Sequence, residues 1–147
     1  GGVGKSFVEA STTLAESGGY TYTVNNLFDK NPGTTWQVGN GGVGEWVEIT
    51  FPQPENISIA MINGFAKVDK QFDLYALNNR VKSMKVEYWD ANDTKQGSTV
   101  NFEDEIRDYQ DAGVYQNVTR IRFIVDSVYK GQKWNDTALA EIKIDKQ

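Results

Sequence analysis

The 147-residue sequence contains neither cysteine nor histidine. Without cysteine there is no disulfide, no thiolate-bound zinc and no thiol nucleophile. Without histidine the commonest general base is gone, together with the Ser-His-Asp and Cys-His systems and every imidazole-ligated metal. A metal here would have oxygen ligands, which suits calcium or magnesium. Positive charge is short as well: 15 Lys and Arg stand against 20 Asp and Glu, a net charge of −5. That balance argues against nucleic acid as a partner, whose phosphates need a basic patch, and disfavours docking on anionic lipid by charge. No apolar run is long enough to span a membrane and no signal peptide is visible. If the protein is exported, its signal lay upstream and this chain is an excised module.

What is present reads as one soluble globular domain, with 39% hydrophobic and 24% charged residues. Two glycine motifs lack the context that would give them chemistry. GGVGKS at residues 1–6 has no strand in front and no glycine five residues before the Gly4-Lys5 pair, so an unstructured start or cloning remnant is expected there. Gly39, Gly41 and Gly44 formally match a dinucleotide fingerprint, but an alternating strand follows where a helix is required.

Residues 7–147 are expected to form a single β-sandwich domain. Alternation predicts strands over 7–14, 45–51, 57–62, 81–89, 99–103, 118–126 and 138–144. Val47, Ile49 and Phe51 share one face, as do Met84, Val86 and Tyr88, then Ile121, Phe123 and Val125, then Ala140, Ile142 and Ile144. Pro52 to Glu55 is expected to stop a strand. Residues 104–116 read either as a helical turn or as a loop with a short strand near Val114. No long stretch has helical periodicity, and many short strands with Gly, Pro and Asn turns indicate an all-β antiparallel sandwich.

Alternate loops in such a sandwich fall at opposite ends. With a strand near Val114, the loops at 29–44, 63–80 and 127–137 converge on one end. Without it, the last of these moves to the other end. The converging loops carry aromatic rings that can stack on sugar C–H faces, and planar side chains that can hold hydroxyl pairs. The candidate ligand-binding residues are Asn63, Tyr75, Asn78, Asn79, Arg80, Tyr129, Trp134 and Asp136. The competing reading has Phe65, Phe72 and Tyr75 plugging the end of the sandwich and Asn78 and Asn79 making a turn. Separately, Asn26 to Trp36 is a tight turn rich in Asp, Asn and Thr oxygens around Pro32-Gly33. It either presents oxygens to a hard cation or makes a stiff corner.

Several segments taken in order carry a family resemblance. They are Val8 to Leu14, Asn26-Leu27-Phe28-Asp29, Thr34-Thr35-Trp36, Gly44 to Ile49 and Ala140-Glu141-Ile142. These resemble the discoidin-like, galactose-binding-domain superfamily, which includes coagulation-factor C-type domains and family 32 carbohydrate-binding modules. More narrowly, Ile62 to Phe65, Asn78-Asn79-Arg80, Val128 to Gly131 and Asn135-Asp136-Thr137 resemble the NADase-type glycan-binding domain. That domain lies apart from the catalytic domain of the toxin that gives the family its name. The resemblance implies a jelly-roll sandwich, carbohydrate binding and, as in many relatives, one structural calcium. By position, Asp29 and Glu141 would give carboxylates, Thr34 a hydroxyl and carbonyl, and Lys30, Asn31 and Ala140 carbonyls. Lys30 and Asn31 depart from the Asp-Gly and further Asp often found in relatives, which removes one negative charge.

The expected function is a non-catalytic carbohydrate-binding module of a secreted or cell-surface bacterial protein. Its partner would be a glycan, membrane binding is not expected, and the isolated module, part of a larger polypeptide, would be a monomer. The alternative is a protein-binding adhesion module or structural spacer without sugar affinity. A glycosidase would need two carboxylates across a cleft. Asp136 with Glu45 or Asp69 could supply them, but no catalytic signature or deep cleft is in prospect, so no enzymatic activity is expected.

Overall fold

The computed structural model describes residues 6–69 and 71–147. In chain order the elements are β1 (Phe7–Ala10), a 3-10 turn (Val24–Phe28), β2 (Trp36–Val38), β3 (Trp46–Asn63), β4 (Val68–Asp69), β5 (Phe72–Asp73), α1 (Leu74–Leu77), β6 (Asn79–Asp90), β7 (Lys95–Asn101), β8 (Tyr109–Tyr129) and β9 (Thr137–Lys146). Residues 1–5 of the expected unstructured start lie outside the described residues. Ser6 has no regular structure.

The frame is the β3–β8 ribbon. β3 pairs antiparallel with β8 along its whole length, from Trp46 opposite Ile124 to Ile62 opposite Tyr109. An extended strand of 18 residues would reach about 60 Å. Yet Asn63 is hydrogen-bonded to Val81, which sits opposite Val128, four residues beyond the partner of Trp46. The ribbon therefore doubles back on itself and gives a half to each layer of the sandwich. The N-terminal half of β3 pairs with β1, and its C-terminal half with β9. On the far side of β8 lies β6, which pairs with β7 and, through a short parallel bridge, with β9. β2 forms the edge beside β9. The result is the all-β antiparallel sandwich that the sequence predicts.

Pro52 to Glu55 does not stop a strand. It is the corner. Register shifts between Thr50 and Glu55 and between Glu55 and Ile57 carry pairing past two exposed prolines, which suits a residue that cannot donate to a ladder. The matching bend in β8 includes Asn117 at φ 56°. The strand expected near Val114 exists as the first half of β8. The strand expected at 99–103 lies earlier, at Lys95–Asn101, and that expected at 7–14 ends at Ala10.

The core follows the alternation. Val47, Ile49 and Phe51 from β3 are buried with Met84, Val86, Ile121, Phe123, Val125 and Ile142, around Leu27, Trp36, Ile57, Ile59 and Met61. Tyr88 and Ile144 are only partly buried at its margin. A smaller cluster of Tyr22, Phe65, Leu74 and Ala138, joined by Leu14, Tyr20 and Leu77, closes one end.

Candidate functional site

A groove of about 420 Å³ opens beside that second cluster. Its walls come from the 14–22 segment, the β4–β5 hairpin, α1 and the loop between β8 and β9. Tyr20, Tyr22, Phe65, Phe72 and Leu74 give it apolar surface, and Trp134 stands at its edge with 39% of its area exposed. The polar lining includes Asp69, Asn78, Lys133 and Asp136. The loops at 63–80 and 127–137 thus share an end, as expected.

The carrier of Trp134 is held by backbone geometry. α1 is a single turn, and its terminal carbonyls would lack partners. The β8–β9 loop supplies them: Gln132 N–H donates to Ala76 O at 3.0 Å, and Lys133 and Trp134 N–H donate to Leu77 O at 3.2 and 3.0 Å. Gly131 enters this contact so closely that a Cβ there would lie 2.5 Å from Leu77 O. Its N–H donates to Asn79 Oδ1 at 2.7 Å, and Asn79 Nδ2 donates to Asn135 Oδ1 at 2.9 Å.

The eight candidate ligand residues divide sharply. Trp134, Asp136 and Asn78 line the groove, although Asn78 is nearly buried and its Nδ2 donates to Leu74 O at 2.9 Å. The other five are committed to the scaffold. Asn63 is fully buried and bonds both N–H and C=O of Val81, at 2.9 and 2.6 Å. Asn79 is buried in the loop contact just described. Arg80 holds Asp104 bidentately, Nε to Oδ1 at 3.0 Å and Nη2 to Oδ2 at 2.8 Å, with only 8% of its surface exposed. Tyr75 is buried, its hydroxyl donates to Asp104 at 3.0 Å, and burial pushes its phenol up to about 12. Tyr129 is half-buried and donates to Phe102 O at 2.8 Å. Asn63, Tyr75, Asn79, Arg80 and Tyr129 therefore stand as scaffold rather than as faces for a ligand. Of the proposed plug residues, Phe65 and Tyr75 are buried, while Phe72 is 57% exposed.

The groove also contains residues that the sequence left in an undistinguished loop. Tyr20 stacks at 6.5 Å on Tyr22 and meets Phe65 edge-on at 5.6 Å. Its hydroxyl donates to Asp69. The Tyr20-Thr21-Tyr22 alternation was the available signal, since aromatic residues in a Gly/Ser-rich loop rarely lie idle. Asp69, named only as one of a conceivable catalytic pair, joins Asp136 in the groove. Asp136 is half-buried, and burial holds its carboxyl above the usual range. Among the described residues its side chain has no hydrogen bond or ion pair.

Beside the groove, the 29–34 turn folds over β9. Asp29 Oδ1 accepts Asn31 N–H at 2.9 Å, Asp29 Oδ2 accepts the Thr34 hydroxyl, and that hydroxyl also lies 3.0 Å from Asn31 O. Lys30 takes the left-handed conformation at φ 60°. Glu141 faces this turn rather than the apolar core, and is only 2% exposed beneath it. Its Oε1 is buried with no hydrogen-bond partner among the described residues. Burial and the neighbouring Asp29 carboxyl push Glu141 up to about 8. The backbone of Lys30 and Asn31 lies beside it, and Ala140 precedes it in β9. Asp29, Lys30, Asn31, Thr34 and Glu141, five of the six candidate metal residues, are thus linked by short contacts, with Ala140 next in sequence. Among the described residues no group of three or more His, Cys, Asp or Glu side chains gathers as a metal cluster. The two carboxylates here would need backbone oxygens to complete a coordination shell.

Comparison with known proteins matches residues 1–145 to the model of the NAD glycohydrolase translocation F5/8 type C domain. The chain belongs to that family. No curated protein matches. Among solved structures it is similar to the F5/8 type C domain of a Bacteroides fragilis protein, at 18% identity and a TM-score of 0.66, covering 97% of this chain and 92% of that one. It is similar to a family 32 carbohydrate-binding module from Clostridium perfringens in complex with GalNAc-β-1,3-galactose, at 11% identity and a TM-score of 0.69, covering 97% and 96%. It is also similar to a pectin-binding carbohydrate-binding module, at 16% identity and a TM-score of 0.65, covering 95% and 88%. The F5/8 type C domain of this chain therefore has a fold shared with carbohydrate-binding modules, and the resemblance read from Val8 to Ile142 holds.

Proposed function

We propose that this domain is a non-catalytic carbohydrate-binding module of a secreted or cell-surface bacterial protein, taking glycan in the groove between the β4–β5 hairpin and the β8–β9 loop. The observation that carries this reading is the pairing of Trp134 with Asp136. An exposed indole offers a face for sugar C–H groups, and a carboxylate with no partner among the described residues offers two acceptors for hydroxyls. Both stand on a loop locked to α1, so little freedom is lost on binding. The fold relatives with bound sugar or pectin affinity support the class of ligand. In a longer polypeptide of this family, attachment to a glycan-bearing surface would be the domain's contribution to translocation.

A structural calcium belongs to the same proposal. The donor set fits: two carboxylates, the Thr34 hydroxyl and carbonyls of the 30–31 turn are all hard oxygen ligands, and Glu141 Oε1 is buried with no hydrogen-bond partner among the described residues. Asp29, Lys30, Asn31, Thr34, Ala140 and Glu141 would hold the ion, which would neutralise the facing carboxyls and tie the turn to β9. The turn borders the groove: Lys67 Cδ lies 3.7 Å from where a Cβ on Gly33 would sit, and Lys67 Nζ lies 4.9 Å over the Tyr20 ring.

Glycan-array screening with titration of the positive sugars tests the binding reading. Trp134→Ala is expected to weaken binding by about fivefold or more, taking the loss on truncation as at least about 1 kcal/mol, with an unchanged melting temperature. No glycan above background, and no loss on Trp134→Ala, would overturn it. The non-catalytic reading is checked on the same sugars: chromatography after prolonged incubation is expected to show no hydrolysis product.

A further inference from the structure

The groove's charge lining sets which sugars it can take. Among the described residues, Asp69 and Asp136 line it together with the cation Lys133. The Lys133 ammonium lies 4.7 Å over the Trp134 ring. Among the described residues no arginine lines the groove. Arg80, two residues after the lining residue Asn78, is the guanidinium on hand for a carboxylate ligand, yet its Nε and Nη2 are taken by Asp104 and its Nη1 lies 3.1 Å from Asn78 O. The other nearby arginine, Arg107, is tied to Asp73 at 2.9 and 2.6 Å. An acidic sugar would thus enter a partly desolvated site with, among the described residues, two carboxylates, no fork-shaped donor, and two lysines, Lys133 and Lys67, each already seated on an aromatic face. Like charges at close range cost more as water is excluded. A neutral or amino sugar meets acceptors that suit it, because an ionised carboxylate accepts from hydroxyls and ammonium groups and donates to none.

We infer that Asp136, with Asp69, is a charge filter that admits sugars without anionic substituents and rejects uronic, sialic and sulfated ones. This rests on the groove being the sugar site and goes further by naming the class. It also separates this domain from the pectin-binding module of the same fold. Asp136 is the filter's main element. Its carboxylate has no partner among the described residues, whereas Asp69 accepts the Tyr20 hydroxyl. Specificity of this kind comes from a repulsive element as much as from attractive ones.

The test compares paired probes that differ in one charge. Galactose and galacturonate oligomers of equal length, and galactosides with and without terminal sialic acid, would be titrated against the whole 147-residue chain by calorimetry. The same titrations would be run on Asp136→Asn and Asp69→Asn. The neutral probe is expected to bind at least tenfold more tightly than its acidic twin, by about the cost of one unfavourable charge contact. Asp136→Asn should shrink that ratio to within about threefold, mainly by improving the acidic probe, and Asp69→Asn should shrink it less. Raising the salt should also shrink it, as screening dictates. Acidic twins that bind the native chain as well as or better than neutral ones overturn the filter while leaving the groove a sugar site. So does an unchanged ratio in Asp136→Asn whose melting temperature matches the native chain. If no probe of either charge binds, and Trp134→Ala changes nothing, the sugar reading falls and the filter with it.

Discussion

The Glu141 carboxyl lies against that of Asp29, buried under the 29–34 turn, with Oε1 lacking any hydrogen-bond partner among the described residues. Two acids in contact, out of water, are better off sharing a proton or a cation than facing each other charged. Burial opposes the charge on Asp29, but its bonds with Glu141, Thr34 and Asn31 outweigh that and hold it below its ordinary value, so the proton resides on Glu141.

In calcium-free protein this makes stability fall with rising pH. The folded chain keeps the Glu141 proton up to about 8, whereas the unfolded chain releases it near 4.5. Folded protein therefore binds more protons than unfolded protein between those values. Glu141's contribution is complete below the lower one and is lost as pH rises through the upper one, at up to about 1.4 kcal/mol per pH unit. Urea unfolding in a chelator from pH 5 to 9 should show this slope, and Glu141→Gln should flatten it. A slope unchanged in Glu141→Gln would show that the proton resides elsewhere.

Calcium should reverse the trend. Its ligands must be ionised, so binding competes with the Glu141 proton and strengthens as pH rises. At pH 8 millimolar calcium should raise the melting temperature of the native chain. At pH 5 it should do much less. Asp29→Ala should abolish the effect. A native melting curve indifferent to calcium at pH 8 would make the turn a metal-free corner.

Arg80 and Asp104 should behave as structure. Their bidentate contact is mostly enclosed and the Tyr75 hydroxyl joins it, so Arg80→Ala leaves a partly buried carboxylate with fewer donors. A loss of about 2–3 kcal/mol is expected, or a fall of several degrees in melting temperature for a chain of this length. Asp104→Asn should lose a similar amount. Arg80 holds Asp104 below the usual carboxylate range, against the effect of burial. That contribution is present above the ordinary carboxylate pKa and disappears as acid titrates Asp104 in the folded state. A fully stable Arg80→Ala that had lost all sugar binding would return Arg80 to the ligand site.

The readable parts of the sequence were those where chemistry repeats along the chain. Val47, Ile49 and Phe51, and Ile121, Phe123 and Val125, alternate cleanly because each strand half has one face on the core. Pro52 and Pro54 misled because a proline ends a straight ladder but sits comfortably on the outside of a bent one. Trp134 and Asp136 were legible as groove residues because a loop exposed to ligand has polar and aromatic residues with no obvious core face. Arg80 has the same composition but a different fate. Its partner Asp104 is 24 residues away, and nothing local reveals that the pair will meet. Tyr20 and Tyr22 were harder to place: their alternation marks two aromatic rings on one side, but it spans only three residues of a Gly/Ser-rich segment and does not say which surface they cover.

Gly131 should couple the fold to binding. Its Cα lies so near the end of α1 that a methyl group there would sit 2.5 Å from Leu77 O and from Asn78 C, both backbone atoms with little room to move. The β8–β9 loop would have to lift, stretching the Gln132, Lys133 and Trp134 N–H bonds that hold it to α1. Gly131→Ala is therefore expected to cost about 2 kcal/mol of stability through strain and lost hydrogen bonds. It should also weaken glycan binding several-fold, because Trp134 and Asp136 move with the loop. Asn79→Ala removes the acceptor of Gly131 N–H without adding bulk, and should weaken both properties in the same direction. Amide exchange at Gln132 to Trp134 reads the lifting directly. If both variants left exchange there slow while sugar affinity fell, the loop would not be the element that positions Trp134.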